Sequence, residues 1–309
     1  MPDSMQGTHS LMSGILDYAG LFPPAALDMP AAVRNYARYR AGADHWMLSR
    51  LVLPVARFAE FEREAATLLP RNRDLPHPDS WPITALVAGA DDPALDRDLA
   101  IIEGFNERHA ARDEGGALVD SIELKAGSPA GLEKALDLVP ANIFPYFELP
   151  WNQDVRGAVT ALADMDAGAK IRTGGTDAAA HPPPEAVARF LLACRAAKVP
   201  FKATAGLHHP VRHHAASVGT LQFGFLNVFV GACLLWHRAI DDADLVQVLS
   251  EEQAAAFELT PSGVGWRGRR LTLHQVTEAR SLFAHAFGSC SFDEPLADLR
   301  SAGSLGAAA

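Results

Sequence analysis

The chain has few cysteines, no cluster of basic residues and no long apolar run, and each shortage removes a class of function. Cys194, Cys233 and Cys290 are the only three cysteines in 309 residues; they form no CxxC pair and no even disulfide framework. Such usage fits a reducing compartment, and the expected location is the cytoplasm. Lys and Arg number 27 against 37 Asp and Glu, a formal net charge of −10, so nucleic acid and anionic lipid are not expected partners. The longest apolar stretch, residues 223–236 (FGFLNVFVGACLLW), is too short for a membrane span and is interrupted by Asn227 and glycine. A buried helix is expected there, with a subunit contact in a homo-oligomer as the alternative. The start, MPDSMQGTHSLMSG, lacks a basic segment followed by an apolar one, so no secretory signal is expected. No GxGxxG follows the first strand-like segment, which argues against a dinucleotide fold.

What the chain does have is a regular alternation of strand-like and helix-like segments, with an apolar fraction of 49% that is ample for a large core. Strands are expected at 14–22, 46–55, 81–89, 117–127, 141–151, 168–175 and 200–209. A helix pattern follows each of the first six, at 25–43, 56–69, 93–111, 128–139, 154–165 and 182–198. The first helix is expected to open at Pro23-Pro24. Residues 70–80 form a Pro/Asn/Asp loop. Residues 218–255 look wholly helical and too long for one crossover. The eighth strand is then expected at 256–266, its helix at 272–288, and a short helical end with a frayed tail after that. Eight alternations predict one (β/α)8 barrel spanning residues 1–309, with 218–255 as a helical insertion between strands seven and eight.

Catalytic groups of such barrels sit at the C-terminal ends of the strands, so polar residues there carry information. Side chains alternate faces along a strand. Lys170 and Arg172 therefore share one face of strand six, and Lys202, Thr204 and His208 one face of strand seven. Glu123 with Lys125, and Tyr146 with Glu148, share faces on strands four and five; strands one and two offer Asp17, Tyr18 and Arg50. Two purely structural pairings compete with a catalytic reading: Glu123 with Lys125 on the surface, and Glu148 with Arg172. Buried lysines are harder to explain structurally, because an unpaired ammonium in the interior is costly.

The segments Lys170-Ile-Arg-Thr-Gly and Lys202-Ala-Thr-Ala-Gly resemble the paired lysine strands of class I aldolases of the deoxyribose-phosphate aldolase type. The resemblance covers about fifteen residues. It implies Lys170 as the Schiff-base lysine and Lys202 as the cation that lowers its pKa, a role consistent with the effect of a neighbouring positive charge. The expected function is a lyase acting on a small anionic carbonyl or carboxylate compound. Glu148 or Glu123 would move protons, and Lys125, Arg172, Asp17, Tyr146 and Arg50 would contact the substrate.

Two further patterns are open. His208, His209, His213 and His214 could join Glu148, Glu123 or Asp17 around zinc, manganese or iron, giving a metal-dependent lyase or hydrolase; His208 is alternatively a general acid or base. Thr260 to Gly265, with Ser262 and Gly263, could cradle phosphate after strand eight, helped by Gly174 and Gly175 beside Arg172. A non-catalytic binding barrel is the reading from another class. Cys290 is expected to be structural and far from the mouth.

Overall fold

Eight parallel strands close into a barrel in the computed structural model of the chain, which describes residues 5–71, 80–110 and 116–301. The first seven staves are β1 (Leu16–Tyr18), β2 (Leu48–Pro54), β3 (Trp81–Leu86), β4 (Ala117–Lys125), β5 (Phe144–Glu148), β6 (Gly168–Arg172) and β7 (Phe201–Thr204). Two antiparallel pieces follow outside the barrel: β8 (His213–Ala215) with β9 (Thr220–Gln222), and the meander β10 (Phe257–Thr260), β11 (Gly263–Trp266) and β12 (Arg269–Thr272). The eighth stave is β13 (Ala284–Ser289), hydrogen-bonded to β7 on one side and β1 on the other.

The closing strand is therefore not the expected 256–266, which is the meander, but a segment expected at the end of the last helix. The helix stops earlier, at Leu282. Residues 284–289 read AHAFGS, small and without β-branched residues. They suit a strand whose inward positions, Ala286 and Gly288, face a crowded interior.

The helices are α1 (Gln6–Met12), α2 (Met29–Ala41), α3 (Phe58–Ala65), α4 (Ala94–Ala110), α5 (Pro129–Leu138), α6 (Arg156–Ala161), α7 (Pro184–Ala197), α8 (Phe225–Trp236), α9 (Asp242–Ser250), α10 (Leu273–Leu282) and α11 (Asp293–Ser301). Their starts follow the capping rules. Asp28 accepts from the Ala31 amide ahead of α2, Ser128 accepts from the Gly131 amide ahead of Pro129-led α5, and Thr272 and Gln275 form a reciprocal box on α10. The Asp28 cap moves α2 away from the expected opening at Pro23-Pro24. Residues 218–255 are not wholly helical: they hold β9 as well as α8 and α9. Within the loop expected at 70–80, residues 72–79 lie outside the described part, as do the first four residues and the tail from 302.

The core lies between the outer face of the barrel and the helix ring. Phe201 on β7 meets Phe190 of α7, Phe229 of α8 and Phe283, while Phe287 on β13 stacks on Phe225 at 5.5 Å and meets Phe229 at 5.7 Å. Helix α8 is apolar all round and is buried from Phe225 to Leu235 by this chain's own elements, so it is not available as a subunit contact. No described helix is long and apolar enough to cross a membrane.

At the end where the strands begin, α1 packs on the meander, with Gly7 so close to the carbonyls of Thr260 and Gly263 that a side chain there would collide with backbone. Buried Arg280 ties this end together by donating to the carbonyls of Ala284, His285 and Ser13.

Because β13 closes the barrel, Phe287→Ala is expected to remove about 3–5 kcal/mol of stability. Chemical denaturation measures it; a loss below about 1 kcal/mol would contradict this strand assignment.

Candidate active site

The inward faces of five strands place five charged side chains in contact. Register sets them side by side: Glu148 opposite Lys170, Lys170 opposite Lys202, and Asp17 on β1 opposite Gly288 of β13. Lys202 is fully enclosed and pairs with Asp17 and Glu123. Glu123 reaches Lys170 through its other oxygen, Nζ to Oε2 2.6 Å, and Lys170 reaches Glu148 at 2.8 Å. The second oxygen of Asp17 accepts the Arg50 amide at 2.9 Å. The result is an alternating chain, Asp17–Lys202–Glu123–Lys170–Glu148. From Lys202 outwards its exposure rises: 0% for the Lys202 side chain, 3% for Glu123, 8% for Lys170 and 19% for Glu148. Most of the chain's exposed surface lies at the Lys170–Glu148 end.

Electrostatics lock the closed end. Burial would raise the Glu123 carboxyl, but the ammonium groups of Lys170 and Lys202 overcome this and bring it down to about 2. Burial would likewise lower Lys202, and the carboxylates of Asp17 and Glu123 more than reverse it, holding the amine above the ordinary lysine range. Lys202 is thus a permanent cation. It does not face Lys170 as a bare like charge, as the lysine motif implies, because Glu123 touches both.

Below this layer the interior stays polar. Arg50 grips Asp120 through Nε at 2.6 Å and Nη2 at 2.8 Å, towards the start of the strands, which removes it from the mouth where it was expected. Tyr146 is also deeper than expected, with its ring 5.5 Å from Lys202 Nζ and its hydroxyl 2.7 Å from His285 Nδ1. His285 Nε2 donates to the Ser281 carbonyl, so Nδ1 is the acceptor and the tyrosine the donor. Burial pushes His285 down to about 4. Neither Asp120 nor His285 was visible in the sequence, because each is the extra residue at a register shift where alternation fails.

The rim differs from several expectations. Lys125 and Arg172 are exposed and, among the described residues, make no ion pair, so neither structural pairing with Glu123 or Glu148 forms. Gly174 is packed on Gly206 and His181, and Gly175 on Ala180; they serve close backbone approach and do not line a phosphate cradle. Ser262 and Gly263 lie in the meander against α1, at the opposite end from the mouth. Strand β7 turns at Ala205 and Gly206, both with positive φ, so His208 does not share the Lys202 face.

The histidines turn away from the interior. His208 Nδ1 lies 3.1 Å from Glu294 and His209 Nδ1 2.6 Å from Asp298, both carboxylates on α11, and His213 donates to the Val211 carbonyl. Among the described residues no three His, Cys, Asp or Glu side chains gather as a metal site, so the expected ligand set of His208, His209 and His213 does not assemble. Cys290 is buried directly after β13, and so lies at the mouth end of the barrel, contrary to expectation.

Comparison with protein-family models and with curated protein sequences gives no match for this chain.

Replacing Lys202 with Met leaves two buried carboxylates facing each other, and a stability loss of about 3–5 kcal/mol is expected in urea denaturation; a neutral outcome would show that the chain of charges does not form. Acid acts in two windows. The unfolded chain protonates the His285 imidazole first, at its ordinary value near 6.5, so stability falls as the pH drops from there to about 4. Glu123 then contributes fully above its ordinary 4.5, and that contribution is lost as the pH falls towards 2. His208 and His213, also lowered by burial, add to the upper window, so melting temperatures of a His285→Gln variant should fall less between pH 6.5 and 4 than those of the wild type and keep the lower window; an unchanged profile between pH 6.5 and 4 would refute the assignment.

Proposed function

We propose that the protein is a lyase of the aldolase kind, acting on a small anionic carbonyl compound through the amine of Lys170. The observation that carries this reading is the open end of the charge chain: Lys170 is the one lysine of the pair near the mouth, held between two carboxylates. Glu148, the more exposed of these, takes a proton from the Lys170 ammonium. The freed lone pair forms the N–C bond to the substrate carbonyl; the carbonyl oxygen takes one proton from the attacking nitrogen and the other back from Glu148, and leaves as water as the protonated imine forms. In a substrate with a hydroxyl on the β-carbon, Glu148 takes that hydroxyl proton, the electron pair of the breaking Cα–Cβ bond moves to the protonated imine to give an enamine, and the β-carbon leaves as an aldehyde; protonation of the enamine carbon and hydrolysis of the imine then free Lys170. Glu123 is held ionised by Lys202 and so keeps its charge beside the developing imine cation.

A scaffold reading accounts poorly for this interior. Five charges in contact across five strands, four of them buried, stabilise a fold less well than apolar side chains of similar volume. The metal-dependent alternative is favoured by no contact of the histidines.

Borohydride reduction in the presence of a panel of aldehydes and 2-oxo acids should attach one substrate mass to the peptide carrying Lys170, read by mass spectrometry. Lys170→Met should abolish the adduct. Adduct on another lysine, or none with any carbonyl compound, would remove this reading.

A further inference from the structure

We propose that the anionic group of the substrate is a single carboxylate beside the reacting carbonyl, so that the mouth takes a non-phosphorylated 2-oxo monocarboxylic acid. This inference rests on Lys170 as the reacting amine and adds the chemical class of the molecule it meets.

The usual phosphate positions of an α/β barrel are the loops after strands seven and eight and a helix N-terminus beside them. Here both are closed. Ahead of α8, which follows β7, the Gly224 amide donates to Asn227 at 3.2 Å, Phe225 to the His209 carbonyl at 3.0 Å and Leu226 to the Pro210 carbonyl at 2.9 Å. Ahead of α11, which follows β13, Ser291 caps the Glu294 amide at 3.2 Å, and the first turn carries Asp293 and Glu294. A phosphate there would meet two carboxylates instead of free amides. The glycines after β6 and in the meander are used in packing.

The anion must therefore be met by side chains. Arg172 stands two residues beyond Lys170 on the same face of β6, roughly 7 Å along the strand, with its guanidinium exposed at the rim and without an ion pair among the described residues. Its fork matches a carboxylate bidentately. A carboxylate held there presents an adjacent carbonyl carbon towards the Lys170 amine. Charge points the same way. The upper strand positions carry four cations, the enclosed Lys170 and Lys202 and the exposed Lys125 and Arg172, against the three carboxylates Asp17, Glu123 and Glu148. One negative charge balances them, and converting the Lys170 ammonium to a protonated imine leaves that balance unchanged.

Oxamate, an amide isostere of pyruvate that forms no imine, separates this inference from the reading it rests on. Titration calorimetry should show oxamate binding to the wild-type protein, weakened about tenfold or more in Arg172→Met. Inorganic phosphate should compete no better than acetate, and pyruvate should be trapped on Lys170 by borohydride. Oxamate that does not bind, or binds equally to Arg172→Met, while a simple aldehyde is trapped on Lys170, overturns the carboxylate and keeps the lysine. Oxamate bound through Arg172 with no carbonyl compound trapped keeps the carboxylate site and removes the lysine chemistry. Phosphate displacing oxamate at lower concentration than acetate overturns the inference outright.

Discussion

The contact on which the rest of the barrel depends is the one between Glu123 and two lysines. Glu123 sits between Lys170 and Lys202, and each lysine reaches a further carboxylate, so five charges on five different strands satisfy one another only together. Removing Lys202 leaves the buried carboxylates of Asp17 and Glu123 facing each other without it, which costs far more than the intact pairs contribute. Barrels of this architecture are ordinarily filled by branched aliphatic side chains. Here the interior gives up much of that apolar burial, and the outer layer has to supply the stability. Phe201, Phe229, Phe283 and Phe287, packed between the closing strands and α8, occupy that layer.

The two lysines look equivalent on their strands, yet their surroundings give them different chemistry. Lys202 has no exposed surface and is flanked by Asp17 and Glu123, so losing its proton would leave two facing carboxylates in a dry environment. Lys170 faces the mouth and touches Glu148, which can exchange protons with solvent. A reacting amine needs access, a proton acceptor and a fixed charge nearby to hold the field steady. On the proposed reading, the gradient of exposure from Lys202 to Glu148 distributes those three requirements over adjacent residues.

Much of this was legible in sequence, and the failures have specific causes. The first seven staves were readable because their apolar runs are separated by helix patterns, and Lys170, Lys202, Glu123, Glu148 and Asp17 stand at alternating positions that send them to one interior. The eighth was not. FELTPSGVGW carries more strand character than AHAFGS, and nothing local shows that it pairs with its own neighbours in an antiparallel meander. Alternation also breaks wherever a strand gains a residue. Asp120 and His285 both occupy such positions, and both add polar contacts inside the barrel. The histidines failed for a related reason: the left-handed turn at Ala205 and Gly206 ends the strand before His208, and the carboxylates that receive His208 and His209 lie 86 and 89 residues away on α11.

An acidic protein and the anionic substrate proposed for it are compatible because the two charges act over different distances. The net charge of −10 is spread over the surface, and physiological salt screens it within about 8 Å. On the proposed reading Arg172 would meet the substrate inside that distance, at a rim where Arg172 and Lys125 are exposed and, among the described residues, make no ion pair. The overall field gives no steering and modest repulsion, so the mouth must discriminate by contact. A bidentate guanidinium–carboxylate pair above an amine does this, because it requires both the charge and the spacing between carboxylate and carbonyl. On the proposed reading, selectivity would reside in the register of a single strand, β6, where buried Lys170 and exposed Arg172 stand two residues apart on one face.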